Sequence, residues 1–220
     1  MEIKNFRAVH DKDYIFELIE EGEHEQQDFK FAISDSRKIA RSIAAFANNR
    51  GGRLLVGVKD NGNIAGIRSE EEFYMIEQAA EMYCKPAQRV EQTVYCIEGK
   101  YVLKVDIAPS KARPVYAQDD SRNWQIYYRV ADENIQTPEF FARIWRAQRR
   151  RGEMVAFSDM ESRLLAFVAE KETATPDEIA KAVHASKVAV EDTIVRLCSM
   201  QLLRPVHTSG AWQFECETPE

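Results

Sequence analysis

The sequence predicts an α+β fold: a mixed β-sheet with flanking helices over residues 1–150, then a small winged helix-turn-helix domain over residues 155–217. Three observations predict it. Leu54-Leu55-Val56-Gly57-Val58 is continuously apolar, as a strand covered on both faces is, and it follows a helical pattern at once. Asn61-Gly62 and Glu98-Gly99 separate apolar runs in the manner of β-hairpins. After residue 155 the pattern changes to three helices, two of them capped, and two short strands, a helix-turn-helix with a wing.

The elements follow in chain order. A first helix is predicted over residues 11–21, with Ile15, Leu18 and Ile19 on one face and Gly22 beyond its end. In residues 26–31, Phe29 and Phe31 alternate with Asp28 and Lys30, the pattern of a half-buried strand. Ser36 is the expected cap of a helix through Asn49 that turns Ile39, Ile43 and Phe46 inward. After the apolar strand, residues 64–67 are expected to return as a short strand. Ser69 and Glu72 have capping-box spacing for a helix that Pro86 stops. Residues 90–97 and 101–107 form a second predicted hairpin, and residues 124–130 a further strand. Thr137-Pro138 is expected to start a helix that packs Phe140, Phe141 and Trp145 on the sheet. Ser158 and Thr175 then cap two helices, and a turn near His184-Ala185 leads to Ser186 and a third, with Val190, Ile194 and Leu197 inward. Strands 203–206 and 212–216 flank Ser209-Gly210.

The chain has 220 residues, 45% of them apolar and 30% charged, enough to bury a real core. Its net charge of -6 puts any nucleic-acid contact on a local patch rather than the whole surface. The N-terminus has no apolar core of a signal peptide, and no apolar stretch has membrane-spanning length. Cys84, Cys96, Cys198 and Cys216 show no C-x-x-C spacing, which fits reduced thiols and a cytoplasmic location. No P-loop is present, and the four histidines are scattered without a zinc pattern.

The candidate binding residues are cations and a loop. Arg37 and Arg41 stand i, i+4 in the first turns of their helix, where the helix dipole disfavours cations and an anion would favour them. Lys30, Lys111, Arg113 and Arg129 could complete a phosphate-binding stripe, with Tyr116 and Tyr128 available for base stacking. The loop from Asn48 through Gly51 and Gly52 offers backbone N–H groups, although a helix C-cap explains the glycines as well. Arg143, Arg146, Arg149, Arg150 and Arg151 form a denser run, suited either to phosphate or to an interdomain clamp. From Val155 onward, six Lys and Arg face eleven Asp and Glu. That balance repels phosphate, so Val188 and Val195, expected to be exposed on the last helix, favour subunit pairing over groove reading.

In order and spacing, these segments resemble the Schlafen AlbA-type domain family. The residues that carry the likeness are Asp28-Phe29-Lys30, Ala45-Phe46-Ala47-Asn48, Gly51-Gly52, Leu54 to Asp60, Gly66, Arg113-Pro114-Val115-Tyr116 and Tyr127-Tyr128-Arg129-Val130. Asp28 departs from the family's usual glutamate, and Asn49 from its threonine. The resemblance implies an AlbA-like Schlafen core; its bacterial members are regarded as nucleic-acid binders and are often joined to helix-turn-helix domains. One branch cleaves RNA with three carboxylates and a divalent metal, and the matching positions here are Glu23, Asp28 and Asp60. Shortening glutamate to aspartate withdraws one of those ligands.

The resulting expectation is a nucleic-acid-binding protein, with DNA the partner and transcription regulation the role. It would act as a homodimer with no membrane contact, no cofactor and no resident metal. Its site is Lys30, Arg37, Arg41, Asn48, Gly51, Gly52, Lys111, Arg113 and Arg129. The alternatives are an endoribonuclease using Mg²⁺ or Mn²⁺ at Glu23, Asp28 and Asp60, and a protein-interaction or nucleotide-binding module.

Overall fold

The computed structural model describes residues 7–149 and 158–217, so Arg150 and Arg151 of the arginine run lie outside the described residues. The chain divides into two compact units, Met1–Thr137 and Pro138–Glu220.

The first unit begins with α1 (Lys12–Glu21), capped by Asp11, whose side chain accepts from Tyr14 N–H. Strand β1 (Gln27–Lys30) leads through a loop to α2 (Ser36–Asn48) and then β2 (Gly52–Val56). Helix α3 (Glu71–Met82) and short β3 (Cys84–Lys85) follow. The hairpin of β4 (Val90–Ile97) and β5 (Lys100–Ile107) comes next, then β6 (Tyr116–Gln118), β7 (Trp124–Val130) and β8 (Glu133–Thr137). Two four-stranded sheets result. The first, in order β1-β2-β5-β4, is mixed: β1 and β2 run parallel and the other pairs antiparallel. The second, β3-β6-β7-β8, is antiparallel throughout.

Layering follows from the side-chain alternation of β2. Leu55 points with Ile15, Leu18 and Phe29 into a small core under α1. Leu54 and Val56 point the other way into the main core, with Ile39, Ile43 and Phe46 of α2 and Phe73 and Ile76 of α3. Val115, Ala117 and Tyr127 from the second sheet close that core. Helix α2 is therefore enclosed between the sheets, and it is buried almost all round from Ser42 to Asn48. A helix so covered cannot be told from an ordinary amphipathic one by a single apolar face.

Several local expectations are corrected. Gln27, Asp28 and Phe29 are all buried while Phe31 is exposed, because α1 covers one face of β1 and the interior the other. Asp35, not Ser36, caps α2, accepting from Arg37 N–H at 2.8 Å, while Ser36 Oγ donates to Gln78 of α3. Residues 64–67 form no strand; Val58 and Ile64 make an isolated bridge. Glu72 does not close a capping box but accepts from the N–H groups of Ile33 and Arg68, tying α3 to the loop after β1. Thr137 ends β8 instead of opening a helix. Strands β3, β6 and β8 are short and carry no alternation strong enough to read.

In the second unit, α4 (Phe140–Gln148) packs along α7 (Lys187–Ser199), with α5 (Asp159–Lys171) and α6 (Pro176–Val183) between them in the chain. Capping boxes close the N-termini of α5 and α6 at Ser158 and Thr175, and Ser186 caps α7. Left-handed His184 ends α6. Antiparallel β9 (Leu203–Thr208) and β10 (Ala211–Cys216) complete the unit, and Ala174 bridges to Phe214. Phe141 meets Trp212 and Phe214 of this hairpin, so the aromatic face of α4 packs on strands of its own unit. Among the described residues, no helix is long and apolar enough to cross a membrane.

Candidate nucleic-acid interface

A polar seam at the C-terminal end of α2 holds the first unit together. Asn48 is fully buried. Its amide nitrogen donates to the carbonyls of Val115 and Tyr127, both at 2.8 Å, and its oxygen accepts from Val115 N–H at 2.7 Å. Asn49 donates to Arg129 O and Glu25 and accepts from the Tyr128 hydroxyl. Both side chains act on the backbone and side chains of the second sheet, and neither presents its amide to solvent. The Tyr128 hydroxyl expected near bases is engaged with Asn49, and burial raises its pKa above the usual phenol value.

Arg129 is buried too, at 1% exposure. It donates to the carbonyls of His24 and Gln27 and to Asn134, lies 3.5 Å from Asp28, and sits over the Phe46 ring. Lys30 reaches the same Asp28 at 2.6 Å. A buried carboxylate flanked by two cations forms an ionic cluster, because desolvation makes unpaired charge there costly, although among the described residues Asp28 Oδ2 and Arg129 Nε make no hydrogen bond. Thus neither Arg129 nor Lys30 stands free for phosphate. Glu23 joins the cluster: its carboxylate accepts from Phe29 N–H at 2.8 Å. Burial foremost, then the hydrogen bond and negative charge of Asp28, raise its pKa, outweighing the Phe29 N–H and Lys30, which lower it.

The double glycine has a packing cause. A Cβ on Gly52 would stand 2.4 Å from the Phe46 ring, and one on Gly51, which has φ +78°, would stand 2.7 Å from Ile107 O. The N–H groups of Asn49 and Gly51 both donate to Phe46 O at 3.0 Å. Those two donors of the expected loop are used inside the fold, as the C-cap alternative requires.

What faces outward is a different surface. Arg37 and Arg41 lie on the α2 edge nearest β3 and the β6–β7 turn. The Arg37 guanidinium sits 4.8 Å from the centre of the Tyr83 ring, and Arg41 pairs with exposed Asp120 at 2.9 Å. Tyr83 O accepts from Gln118 N–H, Gln118 pairs with Trp124 across β6 and β7, and Lys85 Nζ lies 5.9 Å from the Trp124 ring. Tyr83, Lys85 and Trp124 therefore adjoin the two arginines. The sequence reading missed all three, and only the β3–β6–β7 pairing brings them to α2. The Nε atoms of Arg37 and Arg41 are buried without a hydrogen-bond partner. Arg113 is half-buried at the other end of α2, donating to Asn48 O at 3.2 Å, and Lys111 is exposed nearby in sequence.

The acids of the nuclease alternative are not brought together. Glu23 and Asp28 adjoin, but Asp60 is exposed in the turn after Val58. Among the described residues, no three His, Cys, Asp or Glu side chains cluster where they could hold a metal ion. In the second unit, α7 offers few free cations: Arg196 lies 2.5 Å from buried Glu161, and Lys187 lies 3.1 Å from Asp177. Val195 is buried, against expectation, whereas Val188 is 66% exposed, so the apolar surface expected for a homodimer shrinks to one residue.

Comparison with known proteins adds the family. A protein of Corynebacterium diphtheriae, DIP2311, is 18% identical, with a TM-score of 0.42; the match covers 88% of this chain and 34% of that one. The chain thus spans about a third of that protein. The N-terminal domain of a RecG-related protein from Nitrosomonas europaea is 20% identical, with a TM-score of 0.38, covering 70% of this chain and 98% of that one. No curated protein matches. The family model described as Schlafen, AlbA_2 matches residues 23–138, which take in every strand of the first unit and the whole seam. This chain belongs to the Schlafen AlbA_2 family.

Proposed function

We propose that the protein binds nucleic acid through the outer edge of α2 and the adjoining corner of the second sheet. The observation that carries this reading is the cation–aromatic surface of Arg37, Arg41, Tyr83, Lys85 and Trp124. Cations neutralise phosphates and aromatic rings offer sequence-tolerant stacking, so the combination suits a polynucleotide better than a protein partner. Exposed Lys111 and half-buried Arg113 extend it along α2, while Asn48, Gly51, Gly52 and Arg129 hold the helix in place. Family membership and the RecG-related neighbour's printed name are in keeping with this reading. DNA as the ligand and transcription regulation as the role are its finer form. The capped helices and hairpin of the second unit support a winged helix-turn-helix there, with α7 in the recognition position.

The test is retardation of labelled duplex DNA and of structured RNA, each in EDTA and in Mn²⁺. Salt-sensitive binding, weakened about tenfold by the Arg37→Ala, Lys85→Ala pair, is expected. Unchanged binding in that variant would move the interface elsewhere. Cleavage in Mn²⁺ that disappears in Asp60→Ala would replace binding with nuclease action.

A further inference from the structure

Phe31 is 43% exposed, unusual for a phenylalanine that directly follows a buried strand. Two cations lie against its ring: the Arg68 guanidinium at 4.8 Å and Lys59 Nζ at 5.6 Å. Both cations are exposed, and among the described residues neither pairs with a carboxylate. Lys30, Arg41 and Lys104 of the first unit are instead held by Asp28, Asp120 and Asp106. Here an aromatic ring does it and leaves the positive charge uncancelled.

The three side chains come from separate segments fastened to one another by backbone. Lys30 O accepts from Gly57 N–H at 2.8 Å, and Gly57 O accepts from the N–H groups of Ala65 and Gly66 at 2.8 and 2.9 Å. A Cβ on Gly57 would stand 2.8 Å from Gly66 C, so only glycine allows this crossing. Phe31, Lys59 and Arg68 each leave the crossing within two residues of it, and Glu72 fixes Arg68 and Ile33 on the far side. The place is the carboxyl end of the parallel pair β1 and β2, where ligands of open α/β sheets bind. It is also separate from the α2 edge: Arg68 precedes α3 and Tyr83 follows it, about 18 Å apart along the helix axis.

We infer that Phe31, Lys59 and Arg68 form a second contact, for an unpaired stretch of nucleic acid, in which the two cations take adjacent phosphates and the exposed part of the Phe31–Arg68 stack receives a base. This rests on the nucleic-acid reading above and narrows its ligand to one with single-stranded character. Duplex bases are stacked on each other and cannot reach a ring set among cations, whereas the bases of a single strand can. A free phosphate or mononucleotide shares the charge chemistry but cannot engage both cations and the α2 edge at once.

The experiment measures anisotropy of a fluorescein-labelled single-stranded oligonucleotide and of the blunt duplex of the same sequence. The proteins are the full chain and its variants Phe31→Ala, Phe31→Trp, Arg68→Gln and Arg37→Ala, with circular dichroism melts confirming folding. Phe31→Ala and Arg68→Gln are expected to weaken the single strand about tenfold while leaving the duplex within about twofold; Phe31→Trp retains single-strand binding, and Arg37→Ala weakens both ligands. Single-strand affinity unchanged in Phe31→Ala and Arg68→Gln, with Arg37→Ala still weakened, overturns this site alone. No binding of either ligand by the unsubstituted chain overturns both readings. Displacement of the oligonucleotide by inorganic phosphate or by a mononucleotide at equal phosphate concentration overturns the strand form of the site.

Discussion

Gly52 and Glu23 show how far single positions are set by their neighbours. At Gly52 the Phe46 ring occupies the space a side chain would need, so Gly52→Ala must push the ring or β2 aside. Such overpacking costs about 2 kcal/mol, and urea unfolding of the variant should show a lower midpoint at an unchanged slope. Glu23 makes a prediction in pH. Its carboxyl is held above the ordinary value by burial and by Asp28, so folding favours the protonated form. The stabilisation this provides is complete below the unfolded pKa of the group and is lost as pH rises through the higher folded pKa. Glu23→Gln keeps an oxygen for Phe29 N–H and removes the titration. The difference in melting temperature, variant minus parent, should therefore grow more positive from pH 4 to pH 7; a flat difference would mean that Asp28 and Lys30 already cancel the effect.

At the scale of elements, α2 is the part on which the first unit depends. Its inward face packs β2 and β5, its flank packs α3, and its C-terminal Asn48 takes the place of a strand neighbour for Val115 and Tyr127. Asn48→Leu would leave one donor and two acceptors of the second sheet buried without partners. A loss of about 3 kcal/mol is expected, read by denaturant unfolding. Hydrogen exchange should place the added protection loss in β6 and β7 rather than in β4 and β5. The arrangement also explains why Arg129, a promising phosphate ligand by type and position, lies inside: β7 presents it to the gap beside α2, where Asp28 and three polar groups receive it.

For the molecule as a whole, charge decides how nucleic acid can be held. Of the net charge of -6, the residues from Val155 onward contribute -5, leaving the earlier part close to neutral. Binding must then come from a few local phosphate contacts. With Arg37, Arg41, Lys85, Lys111 and Arg113 as the available cations, one of them already paired to Asp120, the logarithm of the affinity for duplex DNA should fall with the logarithm of salt at a slope of about -2 to -4. A slope near zero in a titration from low to physiological salt would exclude the α2 edge as a phosphate surface. Lys187→Gln in α7 should leave that slope unchanged, since α7 keeps Lys187 on Asp177 and Arg196 on Glu161.

The legible parts of this protein were those governed by local rules. The caps at Ser158 and Thr175, the β4–β5 hairpin, the buried β2 and the order of the family segments can all be read along the chain, because each depends on residues a few positions apart. Charge at a site is not such a property. Lys30 and Arg129 lie a hundred residues apart in sequence, yet both are drawn to the carboxylate of Asp28; Tyr83, Lys85 and Trp124 meet Arg37 and Arg41 only through the pairing of β3, β6 and β7. Sequence alone determined the helices, the longer strands and the family they belong to. Tertiary structure decided which cations are neutralised and which face solvent, because desolvation and pairing act between segments that nothing in the linear order brings near each other.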